Sequence, residues 1–149
     1  MTRTVTRPSA TGAPGYSETL PCAAASARPA RLLIGAALHT WNFGCLVDPG
    51  RLIVSELVSN AVQHSGSRDI RVGITLPAAG RVRILVSDKS CVAPIIREPQ
   101  GDEESGRGLL VISEIAADWG ADHRRWGKVV WAELIAFGPE RERQSCQSR

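Results

Sequence analysis

Apolar and polar positions recur along this chain with two different periods, and the changes of period mark its elements. From Asp48 to Gly66 the sequence reads DPGRLIVSELVSNAVQHSG. On a wheel of about 100° per residue, Ile53, Val54, Leu57, Val58, Ala61 and Val62 fill one broad arc, while Ser55, Glu56, Ser59, Asn60 and Gln63 share the other. Leu52 is the one large apolar residue on the polar side. Asp48 is a candidate N-cap, Pro49 suits the first turn, where a missing N–H costs nothing, and Gly66 can close the helix. Upstream, Arg31 to Val47 follows Pro29 and carries Leu32, Leu33, Ala36, Ala37 and Trp41 at helical spacing, which predicts a first amphipathic helix with His39 on its surface.

After the central helix the period shortens to two. Asp69–Leu76 and Arg81–Ser87 present Val72, Ile74, Leu76, Val82, Ile84 and Val86, joined by Pro77-Ala78-Ala79-Gly80, and predict a β-hairpin. Arg107–Trp119 returns to helical spacing with Leu109, Leu110, Ile112, Ile115 and Ala116. Lys128–Phe137 predicts a long last strand, paired through Trp126-Gly127 with a short strand at Ala121–Arg124. The order α, α, β, β, α, β, β predicts an α+β fold, a two-layer α/β sandwich with a mixed, mostly antiparallel sheet and helices packed on one face. Residues 1–28, rich in Thr, Ser, Pro, Ala and Gly, predict a flexible N-terminal tail, 29–137 the folded domain, and 138–149 a flexible C-terminal tail. The connection from Asp88 to Arg107, with its prolines, glycines and Asp102-Glu103-Glu104, has the length of a functional lid.

Composition removes several function classes. With 149 residues the chain suffices for one well-buried core. A formal charge of +3, from arginines that are scattered along the chain, does not suggest a nucleic-acid partner. Eighteen consecutive apolar residues occur nowhere, and the run around Cys22-Ala23-Ala24-Ala25 is too short and weak for a signal-peptide core, so no membrane role is expected. Cys22, Cys45, Cys91 and Cys146 lie far apart without C-x-x-C spacing, which indicates neither a zinc site nor a disulfide framework and fits a reducing cytoplasm.

The candidate chemistry lies on one edge of the central helix. Glu56, Asn60 and His64 stand at i, i+4 and i+8, so their side chains rise about 6 Å apart toward one volume. Asparagine is a weak helix former in mid-helix. Its amide oxygen is a hard ligand suited to Mg²⁺, and a carboxylate one turn earlier can orient or deprotonate an attacking hydroxyl. The alternative is a solvated polar edge on a core helix, and the three residues alone leave both readings open.

The motif E-x-x-x-N-A-x-x-H, here Glu56 to His64, resembles the N-box of the GHKL ATPases, and within them the small anti-sigma factor and serine kinase group. Asp88, at the end of an apolar strand, stands where that family places the aspartate that accepts a hydrogen bond from the adenine amino group. Gly106-Arg107-Gly108-Leu109 resembles the family's second glycine box, whose backbone N–H groups at a helix N-terminus can hold phosphate. With Gly127-Lys128 and Trp131 in the closing strand, the resemblance covers residues 30–136. It implies the Bergerat fold and ATP with Mg²⁺ as cofactors, bound between the central helix and the lid. Asn60 would ligate the metal, while His64, Asp88, Gly106, Arg107, Gly108 and Leu109 contact the nucleotide. Glu56 would be the general base of a serine/threonine protein kinase, with Arg107 or Lys89 steadying developing charge. The implied partners are a sigma factor, an antagonist (anti-anti-sigma) protein, or both, and a second copy of the chain.

Two positions depart from the family. Asp88-Lys89-Ser90-Cys91-Val92 stands in place of Asp-x-Gly-x-Gly, and Val129 or Val130 occupies the place of a threonine that supports the aspartate–adenine contact. Three readings follow: the kinase-regulator, a module of the same fold that sequesters a regulatory partner with weak or no nucleotide binding, and the ATP-binding half of a sensor histidine kinase. The third lacks a dimerisation helix or sensor region in this sequence.

Overall fold

Along β4 (Arg81–Asp88) the residues Val82, Ile84 and Val86 turn to one side, and along β6 (Gly127–Ile135) Leu134, Ala132 and Val130 stand directly opposite them. The computed structural model describes residues 4–6, 14–89 and 104–136, with 4–6 and 104–109 described by their backbone, and in it all six of those side chains are buried. They form the floor of a core whose roof is α1 (Ala27–Thr40) and α2 (Val47–His64). The third helix, α3 (Glu104–Ile115), packs beside α2 and adds Ile112 to the same core. Together with β1 (Thr4–Thr6), β2 (Gly15–Pro21), β3 (Asp69–Ala78) and β5 (Asp118–Arg124), the strands make a sheet in the order β1-β2-β3-β4-β6-β5. Every described pairing is antiparallel. This is the expected two-layer α+β sandwich with its helices on one face.

The sheet also extends beyond what the pattern predicted. Residues 15–21, expected inside a flexible tail, form β2 and pair along their whole length with β3. Leu20 lies opposite Ile70 and is buried, and the Tyr16 ring meets Trp41 at the end of α1 with centroids 5.6 Å apart. The correction has a plain cause. Tyr16-Ser17-Glu18-Thr19-Leu20 carries too little apolar periodicity to announce a strand, yet β3 offers it a row of backbone partners. The described domain therefore reaches back past residue 29, through a 3-10 turn at Ala24–Ser26.

The helices differ from expectation at their ends. Helix α1 starts at Ala27, with Pro29 inside its first turn, where N–H groups have no helical acceptor to lose. It stops at Thr40, and Asn42, at φ 62°, turns the chain. Asp48 is not the N-cap of α2. A 3-10 turn at Gly44–Leu46 runs directly into the helix, so Asp48 falls in the first turn, where its charge still meets the positive end of the helix dipole. Helix α3 ends at Ile115, and Trp119 belongs to β5. Cys45 is disulfide-bonded, which its spacing did not indicate, and Cys22 is a free thiol. No helix among the described residues is long and apolar enough to cross a membrane. The expected lid between Asp88 and Arg107 lies, at 90–103, outside the described residues, as do residues 7–13 of the expected N-terminal tail and the expected C-terminal tail.

On the sheet face away from the helices, Glu133 accepts hydrogen bonds from Arg83 Nε (2.9 Å) and a terminal Arg83 nitrogen (2.6 Å), with Arg81 at 3.3 Å. The same Arg83 guanidinium lies 4.2 Å above the Trp131 ring. These contacts tie β4 to β6 in one register. At the other end of the pair, Gly127 lets the strands close. A Cβ there would stand 2.6 Å from Lys89 Cα and would also collide with the Asp88 carbonyl oxygen, and the residue sits at φ +156°. Gly127→Ala is therefore expected to cost about 3 kcal/mol or more, lowering Tm by roughly 10 °C in thermal unfolding followed by circular dichroism. A Tm within about 2 °C of wild type would show that the approach relaxes freely.

Candidate functional site

Helix α2 carries two kinds of residue on adjoining faces. Its apolar arc sinks Ile53, Val54, Leu57, Val58 and Ala61 into the core, and Asn60 lies at the margin of that arc, 5% exposed. One turn to either side stand Glu56 and His64, both half-buried. Asn60 Oδ1 and His64 Nε2 are buried atoms with no hydrogen-bond partner among the described residues. A buried polar atom left unpaired costs about 1–3 kcal/mol, so two of them on consecutive turns of one helix edge make that edge a candidate ligand site. Glu56 makes contacts of its own within the chain.

Asp88, at the end of β4, is 3% exposed. It follows Val82, Ile84 and Val86 at the same spacing of two, and so shares their face, toward the helices. The loop after α2 fixes its position. Ser67 N–H donates to Ser65 Oγ (3.0 Å), and Ser67 Oγ in turn accepts from the N–H of Lys89 (2.9 Å). The C-terminal end of α2 and the end of β4 are thus stitched together through two serines. The close approach of Gly127 holds the same strand end from the other side.

Cys22 borders this corner. Its N–H donates to Arg68 O (2.9 Å) and its thiol to Ala61 O (3.7 Å), the carbonyl adjacent in sequence to Asn60. Burial pushes the Cys22 thiol pKa up, the charge of Asp88 adds to the rise and that of Asp69 adds again, while a hydrogen bond with Ser65 opposes them. The backbone of Gly106, Arg107, Gly108 and Leu109 runs through the first turns of α3, beside α2. The structure therefore brings Asn60, His64 and Asp88 to one corner of the fold and aligns Glu56 on the same helix edge. For residues 106–109 it sets the backbone course. Ser90, the departure in the first glycine box, lies outside the described residues.

The other departure reads differently in three dimensions. Val130 pairs with Val86 in the core and Val129 pairs with Ser87, so the residue beside Asp88 in the sheet is Lys128. That lysine is fully buried. It was legible in principle, because Lys128, Val130, Ala132 and Leu134 share one parity along a strand whose other members of that parity face inward.

Residues 20–134 match the family model described as a histidine kinase-like ATPase domain, a span running from the end of β2 into β6. The chain belongs to the histidine kinase-like ATPase domain family. No curated protein matches it. Nucleotide binding, with Mg²⁺ as the usual companion ion, is the coarse function of a histidine kinase-like ATPase domain, and the orphaned Asn60 amide oxygen fits it. Among the described residues no three His, Cys, Asp or Glu side chains gather to hold a metal. Such a cluster is unnecessary for Mg²⁺, which keeps most of its waters and takes substrate phosphates with one or two protein oxygens. A groove of about 170 Å³ on the opposite edge of α2, lined by Ala24, Ala27, Ser55, Ser59, Val62 and Gln63, shares none of these residues.

The proximity of Asp88 to Cys22 gives a direct check of the site. Asp88→Asn removes a charge that raises the thiol pKa, so at pH 7–8 the thiolate fraction grows and Cys22 alkylation by iodoacetamide, followed by peptide mass spectrometry, is expected to accelerate. An unchanged rate across this pH range would separate the two residues.

Proposed function

We propose that this chain is an anti-sigma-factor-like regulator that binds Mg-ATP and phosphorylates a serine on an antagonist protein. The observation that carries the reading is the unpartnered, buried amide oxygen of Asn60, one helical turn from Glu56. Asn60 Oδ1 is the protein's ligand to Mg²⁺, Asp88 accepts from the adenine amino group, and His64 meets the nucleotide with its free ring nitrogen. Gly106 and Arg107, third and fourth in α3, offer phosphates the amide end of that helix, with Gly108 and Leu109 directly behind them. Glu56 takes the proton from the partner's serine hydroxyl as that oxygen attacks. Bound Mg-ATP supplies the phosphoryl group and the charge neutralisation, and the chain contributes positioning. Arg107 and Lys89 are the cations nearest in sequence to the phosphate and base ends, and either can steady developing charge.

The partner class, a sigma factor and its antagonist, comes from the likeness of Glu56 to His64 and Gly106 to Leu109 to the anti-sigma group, as does a homodimer; the cytoplasmic expectation rests on cysteine spacing instead, a ground that the Cys45 disulfide weakens. The sequestering module without chemistry is the competing reading. One of its two grounds weakens, because the register sets a polar residue, Lys128, and neither valine, opposite Asp88.

Titration calorimetry with ATP, with and without Mg²⁺, tests the site. Asn60→Ala is expected to remove most Mg²⁺-linked affinity and Asp88→Ala the preference for adenine, each by about 1–3 kcal/mol. Equal affinities in wild type and both variants would overturn the assignment. The chemistry is tested under single-turnover conditions with labelled ATP and an antagonist protein. Glu56→Gln is expected to keep ATP affinity within about threefold while slowing phosphotransfer roughly 10²–10⁴-fold. Transfer at the wild-type rate would place the base elsewhere, and a wild type that binds its partner but transfers nothing would favour the sequestering module.

A further inference from the structure

Among the described residues Lys128 is the largest side chain to be fully buried, at 0% exposure. Removing an ammonium from water costs several kcal/mol unless charge and hydrogen bonds compensate, whereas a leucine or methionine would fill the same volume without that cost. Its place in the sheet indicates what the charge is for. Lys128 is the register partner of Asp88, and the inward parity of Val130, Ala132 and Leu134 puts both side chains on the helix side. Opposed residues of adjacent strands carry their Cβ atoms about 4.5–5.5 Å apart. The pair cannot slip, because Gly127 is pressed against the backbone of Asp88 and Lys89 and the N–H of Lys89 is held by Ser67.

The two side chains are chemically opposite. An ionised aspartate only accepts hydrogen bonds, and a lysine ammonium only donates, through three N–H groups. The Watson–Crick edge of adenine presents the matching pair side by side, the N6 amino donor next to the N1 acceptor. Guanine presents the reverse, the O6 acceptor next to the N1–H donor. Resting on the nucleotide reading of Asp88, we infer that Lys128 is a specificity-determining residue that donates to adenine N1 while Asp88 accepts from N6. The same pair opposes guanine at both atoms, setting an acceptor against the carboxylate and a donor against the ammonium.

The test uses the full chain with Mg²⁺ and compares ATP, GTP and 1-deaza-ATP, which keeps the amino group but replaces N1 by C–H. Wild type is expected to bind ATP about 10–100-fold more tightly than 1-deaza-ATP and to reject GTP more strongly still. Lys128→Met is expected to lose about the same 10–100-fold for ATP while binding 1-deaza-ATP as wild type does. Wild type binding ATP and 1-deaza-ATP equally would overturn the inference without any variant, so it stays testable even where Lys128→Met does not fold. Lys128→Met weakening both nucleotides alike would also overturn it, since a merely structural lysine behaves so. If ATP binding depends on Asn60 and Asp88 but is indifferent to N1, the nucleotide reading survives and this inference falls. A wild type that binds no ATP removes both.

Discussion

One helix has to fill the core and shape the site at once, and that double demand on α2 governs the rest of the structure. Burying Ile53, Val54, Leu57 and Val58 contributes roughly 1.5–3 kcal/mol for each large side chain. The unpaired Asn60 oxygen costs about 1–3 kcal/mol. The apolar arc therefore outweighs the orphaned atom severalfold, and α2 is held in its rotation by the core whatever Asn60 prefers. A helix rotated by one residue, about 100°, would carry Asn60 off the core's edge and a core side chain into solvent. The same packing that stabilises the domain thus keeps a polar group waiting in a place it would not choose by itself.

The sheet supplies the second fixed point, and its rigidity comes from backbone contacts more than from side-chain burial. Asp88 stands at a strand end, ordinarily a place that frays. Here the strand end is held by Gly127 on one side and by the Ser65–Ser67–Lys89 relay on the other. That relay starts at the C-cap of α2, so the spacing between the helix edge and the strand end is set by three short backbone segments. Farther along the same pair of strands, the Arg83–Glu133 contacts and the Trp131 ring lock the register on the outer face. Changes at the outer face would reach Asp88 and Lys128 through register alone.

What the sequence revealed and what it concealed divide along physical lines. The central helix, the hairpin and the closing strands were legible because their apolar periodicity is strong and local. Glu56, Asn60 and His64 were legible on one helix edge from their spacing, whereas Asp88 joined them only through the resemblance to the family's motifs. Strand β2 was hidden, since its stability comes from pairing with β3 across some fifty intervening residues and its own Tyr16-to-Leu20 stretch is half polar. Asp48 was misplaced as a cap because a 3-10 turn at Gly44–Leu46, itself without apolar periodicity, carries helical backbone into α2. Lys128 was legible only as part of the closing strand, because a lysine at a strand's start looks like a solvated end residue. Its shared parity with Val130, Ala132 and Leu134, together with the register that sets it opposite Asp88, shows that it points inward.

The first turn of α3 completes the division of labour. Glycine in a helix costs about 1 kcal/mol relative to alanine, and two of them, Gly106 and Gly108, lie within five residues of the start of α3. The first four N–H groups of a helix also lack helical acceptors. A helix start built in this way is intrinsically weak, and an anion that accepts from those N–H groups strengthens it, with the dipole adding to the attraction. The core-held helix edge and the pinned strand end hold their geometry without help, so on the proposed reading metal and base recognition are prepared in advance. On the proposed reading, phosphate contact falls to an element whose local stability gains from it, which would make α3 the part of the site that registers a phosphate.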